Sequence, residues 1–180
     1  MTTAALLSPA TAAHPRWDED ITPLNLRRGL GAFPTGAVAV TGRSGGVDEV
    51  MVSSSFAVGV SWEPALVSFA AQKSSRTCAR LRNVDTLGVS LLAEEQHHLC
   101  RQLASRTGDR LAGLELHRTG RGTPLLEGSS LWLETRLHAE VDAGDHTVVL
   151  MEVLGFADHT DLHAPAALHH NAFTGLRPLA

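Results

Sequence analysis

Strand-like runs follow one another along this chain too closely for helical crossovers to fit between most of them. Residues 36–41 read as a strand, Arg43-Ser44-Gly45-Gly46 as a turn, and 47–52 as the strand that pairs back in a hairpin. Residues 56–61 alternate, Trp62-Glu63-Pro64 interrupts, and 65–71 is the next run, followed by 86–92. The two longest runs, 131–141 and 146–156, are joined by Asp142-Ala143-Gly144-Asp145, an acidic, glycine-containing hairpin signal. Parallel neighbours need connections of roughly a dozen residues or more. Most links here are shorter, so the pattern predicts a mainly β fold. It is an antiparallel barrel with helices at its margins, and not a doubly wound sheet.

The expected helices are short. Thr22 and Pro23 offer an N-cap and a first helical position, with Gly29 and Gly31 marking the end; further helices are expected over 75–83 and 94–104. Residues 107–113 read as a loop and 168–179 as a polar tail with scattered apolar residues. Residues 1–20 lack periodicity and read as a flexible tail, leaving 21–180 as one domain.

Composition narrows the function classes. A net charge of −4 argues against a nucleic-acid binder with a general basic face. No apolar run approaches the ~20 residues that span a bilayer, and the start lacks the positive region of a signal peptide. A cytoplasmic location is the default expectation. Cys78 and Cys100 lie on apolar faces of helix-like segments and read as buried thiols in a reducing compartment. The chain has no tyrosine, which excludes any site built on a Tyr hydroxyl. The pairs His97-His98 and His169-His170, and His159 with His163, lack a completing carboxylate or thiolate at a recognisable spacing, so no metal site is expected. There is no GxSxG elbow, Walker loop or Rossmann fingerprint; a nicotinamide, if used, binds without a Rossmann domain.

One segment stands out chemically. Lys73-Ser74-Ser75-Arg76-Thr77 lies between the strand-like run 65–71 and a helix start, combining two cations with hydroxyls and free backbone N–H groups. That is the equipment of an anion site, here for a cofactor phosphate. Ser53-Ser54-Ser55 sets three more hydroxyls at a strand end. Pro34-Thr35-Gly36 forms a rigid turn where backbone can approach a ring closely, and Phe56 either walls that ring or fills the core.

Several of these motifs also stand in the order of a known family. Phe33-Pro34-Thr35-Gly36-Ala37-Val38-Ala39-Val40-Thr41, Val52-Ser53-Ser54-Ser55-Phe56, Ser74-Ser75-Arg76-Thr77, Gly108-Asp109-Arg110-Leu111-Ala112-Gly113 and Gly144-Asp145-His146-Thr147-Val148-Val149 resemble successive motifs of the flavin reductase-like family. Leu168-His169-His170-Asn171-Ala172-Phe173 resembles its C-terminal strand. The resemblance spans about residues 22 to 175 and implies an FMN-binding split barrel, a homodimer, and hydride transfer from NADH or NADPH to FMN or FAD. It also implies a partner monooxygenase served by diffusible reduced flavin. By the same resemblance Ser75, Arg76 and Thr77, with Lys73, hold the flavin phosphate, and Ser53, Ser54 and Ser55 face its ribityl chain and pyrimidine edge. Asp109 and Arg110 lie on the phosphate side or brace their loop, and His146 is the candidate catalytic residue near the nicotinamide. Two departures mark this chain: Glu49-Val50-Met51 stands where a small, glycine-containing stretch is usual, and Trp62-Glu63-Pro64 replaces one of a pair of prolines. A Glu49 pointing inward would disfavour reduced, anionic flavin. Two other expectations on the same barrel are a flavin-binding protein without reductase activity and a flavoenzyme acting directly on an organic substrate.

Overall fold

The computed structural model describes Trp17, Glu19 and residues 21–177. Apart from Trp17 and Glu19, the tail expected over 1–20 lies outside the described residues. The first helix, α1 (Pro23–Leu30), starts as expected, with the Thr22 hydroxyl accepting from the Asn25 amide and Pro23 at its first position.

Twelve strands follow: β1 (Thr35–Gly36), β2 (Val38–Ser44), β3 (Val47–Ser53), β4 (Ala57–Trp62), β5 (Ala65–Gln72), β6 (Leu87–Leu91), β7 (Leu116–Arg118), β8 (Pro124–Leu126), β9 (Leu131–Ala143), β10 (His146–Asp158), β11 (Ala166–His169) and β12 (Ala172–Gly175). Seven of them form one sheet in the order β3-β2-β6-β9-β10-β5-β4. Every pairing in it is antiparallel; short links dictate this for β2–β3, β4–β5 and β9–β10, while β2–β6, β6–β9 and β5–β10 meet across long stretches of chain. β1, β11 and β12 make a small second sheet, and β7 with β8 a separate ribbon.

Both faces of the large sheet are covered, and the residue period shows it. Val38 and Val40 enter one apolar cluster with Val67, Phe69, Val89 and Met151, while Ala37 and Ala39 enter another with Val50, Leu92, Leu103 and Leu126. That two-sided burial is why 36–41 is continuously apolar. Gly88 on β6 sits so close to β8 that a Cβ would collide with the Pro124 carbonyl and the Thr41 hydroxyl. Two short helices, α2 (Arg76–Leu81) and α3 (Leu99–Leu103), lie at the margins.

Besides the unforeseen β7–β8 ribbon, the structure departs from expectation in two places. Residues 94–104 do not form one helix: a 3-10 turn over Glu94–Gln96 precedes α3. The Gln96 side chain accepts from the Ala93 amide at 3.2 Å and donates to the Glu127 carbonyl at 2.6 Å, tying this turn to the loop before β9 and drawing it out of helical register. The segment read as a polar tail supplies most of the β11–β12 hairpin, where the resemblance implies a strand over 168–173; it is turned by His170 and Asn171 at φ 49° and 61°. Asn is one of the few non-glycine residues that tolerate that region. Among the described residues no helix is long and apolar enough to cross a membrane.

Candidate active site

A cavity of about 990 Å³ opens between β3, the end of β5, α2 and the loop 104–111, with His146 at the start of β10 completing it. The sheet brings these pieces together. β3 is an edge strand, and Ser54 and Ser55 continue it toward β5. The Ser55 hydroxyl fastens the two, accepting from the Ala70 amide at 2.9 Å and donating to its carbonyl at 3.2 Å; it also meets the Ser53 hydroxyl at 2.9 Å. Ser54 is exposed and has no protein partner among the described residues.

β5 then delivers the chain into α2. The Ser75 hydroxyl caps that helix by accepting from the Cys78 amide at 3.2 Å. Thr77 is only 5% exposed, yet it lines the cavity. Its hydroxyl oxygen accepts from Arg110 Nη1 at 3.0 Å and lies 3.5 Å from Arg80 Nη2. With its lone pairs so engaged, its own proton is left to donate. Arg110 also donates to the Val50 carbonyl at 2.9 Å and to the Ser105 carbonyl, pinning the 104–111 loop to β3 and α2. Asp109 accepts from the Leu111 amide at 2.9 Å, which shapes the same loop. Arg76 and Arg106 line the cavity with no carboxylate partner among the described residues. The cavity thus has one end rich in guanidinium and hydroxyl donors, the chemistry that holds a phosphate.

His146 lines the other side, and its Nδ1 is 2.7 Å from Asp145 Oδ1. The hydrogen bond from the ring, backed by its charge, holds the Asp145 carboxyl below the ordinary range. Lys73 does not reach the cavity. It pairs with Asp142, which it holds below the usual carboxylate range, and its amide donates to the Asp145 carbonyl at 3.0 Å. Lys73 therefore buttresses the β9–β10 turn from which His146 projects.

Pro34, Thr35, Gly36 and Phe56 are not part of this cavity. Thr35 and Gly36 pair with Leu168 and Ala167 of β11. Gly36 and Phe56 line a second, apolar cavity of about 190 Å³ with Val58, Leu91 and Leu133 among its walls. Sequence reasoning passed over Arg80, Arg106 and Gln72 as site residues; all three line the large cavity, as does Ser74 of the predicted anion-binding run. Arg80 was findable: it lies four residues after Arg76, on the same side of a helix. Glu49 does border the cavity, but Arg80 grips it with both arms of its fork, Nη2 to Oε2 at 2.8 Å and Nε to Oε1. Burial pushes the Cys78 and Cys100 thiols up, consistent with inert packing residues.

Comparison with known proteins gives a consistent picture. The flavin reductase like domain matches residues 30–177. The reductase subunit of a flavin-dependent monooxygenase from Rhodococcus jostii is 33% identical over 160 residues, spanning 89% of this chain and 81% of that one. An NADH:FMN oxidoreductase from Rhodococcus erythropolis is 30% identical over 175 residues, 95% of this chain and 91% of that one. Among solved structures, an NADH:FAD oxidoreductase from Streptomyces globisporus C-1027, in complex with NAD and FAD fragments, superposes with a TM-score of 0.78 at 29% identity, covering 86% of this chain and 93% of that one.

Proposed function

This chain belongs to the flavin reductase-like family, and from that premise we propose that its large cavity is where NADH reduces flavin. The protein is an oxidoreductase, a flavin reductase of the kind that serves two-component monooxygenases. One observation carries the assignment of the site: guanidinium groups, those of Arg76, Arg106 and Arg110 without a carboxylate partner among the described residues, and hydroxyl donors converge at one end of a cavity whose volume is at the upper limit of ordinary small-molecule sites. That donor set fits a phosphorylated flavin.

Flavin and NADH supply the hydride chemistry; this chain's own residues bind, orient and exclude water. Thr77 and Ser75 donate hydroxyl protons toward the phosphate, Arg76 and Arg110 supply its countercharge, and Ser54 offers a free hydroxyl along the chain that joins phosphate to ring. Fixed donors near the ring's pyrimidine edge favour the negative charge that reduction places there. His146, held by Asp145, is a positioning group for the nicotinamide.

Two finer statements belong to the same reading. The first is that the protein works as a homodimer. β4 is a sheet edge whose Val58 and Trp62 are 71% and 85% exposed, and apolar edge strands of that kind call for a covering partner; a second copy supplies one. The second is that reduced flavin leaves for a separate monooxygenase. The test is NADH consumption by purified protein with and without added FMN or FAD. Saturable turnover that requires added flavin supports a diffusible product. Tightly copurifying flavin with no response to added flavin overturns that statement.

A further inference from the structure

Glu49 opens one of the two stretches that set this sequence apart, and its surroundings give it a role. The carboxylate is half-buried on β3, its side chain 16% exposed, and both its oxygens are taken by Arg80. The same Arg80 Nη2 lies 3.5 Å from the Thr77 hydroxyl, beside Arg110 at 3.0 Å. Arg80 is therefore a further cation at the donor-rich end of the cavity, but it arrives with its charge already matched. Arg76, Arg106 and Arg110 carry no such carboxylate among the described residues.

We infer that Glu49 tunes flavin affinity downward: by occupying Arg80 and placing a negative charge beside the phosphate subsite, it keeps flavin exchangeable. The inference rests on the cavity being the flavin site. Opposite charges attract and like charges repel across a few ångströms, so removing the Glu49 charge strengthens the hold on a phosphate dianion. Glutamine at the position preserves shape and one hydrogen bond to Arg80 while deleting the charge.

The experiment is direct titration of FMN, FAD and riboflavin into the parent, Glu49→Gln, Arg80→Gln and the double variant, followed by flavin fluorescence at two salt concentrations. Glu49→Gln should bind FMN and FAD about tenfold tighter, equivalent to about 1.4 kcal/mol, with steeper salt dependence. Riboflavin, which lacks the phosphate, should bind the two proteins alike. Arg80→Gln should weaken FMN binding, since it leaves Glu49 unmatched, and the double variant should return close to the parent. Equal or weaker FMN binding by Glu49→Gln, or an equal gain for riboflavin, overturns the inference while leaving the cavity assignment intact. A parent that binds no flavin overturns both.

Discussion

Thr77 shows how much of this site hangs on single groups. Its hydroxyl is buried, takes guanidinium hydrogen bonds from elsewhere in the fold, and keeps one proton to give. Replacing Ser75 by Ala and Thr77 by Val together should weaken flavin binding at least tenfold. A hydrogen bond to a charged group is worth about 1.5–3 kcal/mol, and two are removed. Unchanged affinity in a flavin titration would break the phosphate assignment. Lys73→Ala should do little: its pairing with Asp142 is a surface contact worth at most about 1 kcal/mol, and flavin affinity should shift less than about twofold. The contrast shows what could be read in advance. Ser75, Arg76 and Thr77 were legible because a cap and its neighbouring hydroxyls are local chemistry. Lys73 belongs to the same run of five residues, yet its partner comes from a distant turn that nothing local discloses. Arg110 reaches Thr77 across 33 residues of sequence, and only resemblance to a family hinted at that meeting.

Among the elements, the β9–β10 hairpin was plain from its acidic glycine turn, and β7–β8 was missed because its strands are three residues each. What secures that ribbon is Glu134 on β9, 7% exposed, which accepts from Thr123 Oγ1 at 2.6 Å, from Thr119 Oγ1, and from Arg121 Nη1 at 2.7 Å. Burial alone would raise this carboxyl, but the two hydroxyls and Arg121 outweigh it and the net direction is down. A lowered carboxyl contributes stability above its unfolded value of about 4.3, and that contribution is lost as pH falls through the still lower folded value. Glu134→Ala should cost about 1–3 kcal/mol at neutral pH, because it strands two threonine hydroxyls. The difference in urea midpoint between parent and variant should narrow below about pH 4.3; a difference constant down to pH 3 would show that the charge of Glu134 does not contribute. The break in the expected 94–104 helix has the same kind of origin. Gln96 spends its side chain on Ala93 and Glu127, so tertiary hydrogen bonds override local propensity.

At the level of the whole molecule, the antiparallel hairpins β2–β3, β4–β5 and β9–β10 followed from link lengths, whereas their closure into one sheet with β6 between β2 and β9 did not, since that register depends on which faces bury together. The exposed β4 edge leads to a prediction at this scale. Trp62→Glu should shift a homodimer toward monomer in sedimentation or light scattering, and a parent that sediments as a monomer at all concentrations would refute the dimer. β5 gives that result a wider meaning: one side of it bonds to β4, while its last residues, Ala70 to Gln72, line the large cavity proposed to hold flavin. If both proposals hold, self-association and flavin retention share a strand, and mass action would link them. In a homodimer built on β4, dilution alone would act as an antagonist, loosening the grip on flavin without any competitor in solution. A dissociation constant measured on sparse protein would describe a different species from the one that turns over at high protein concentration.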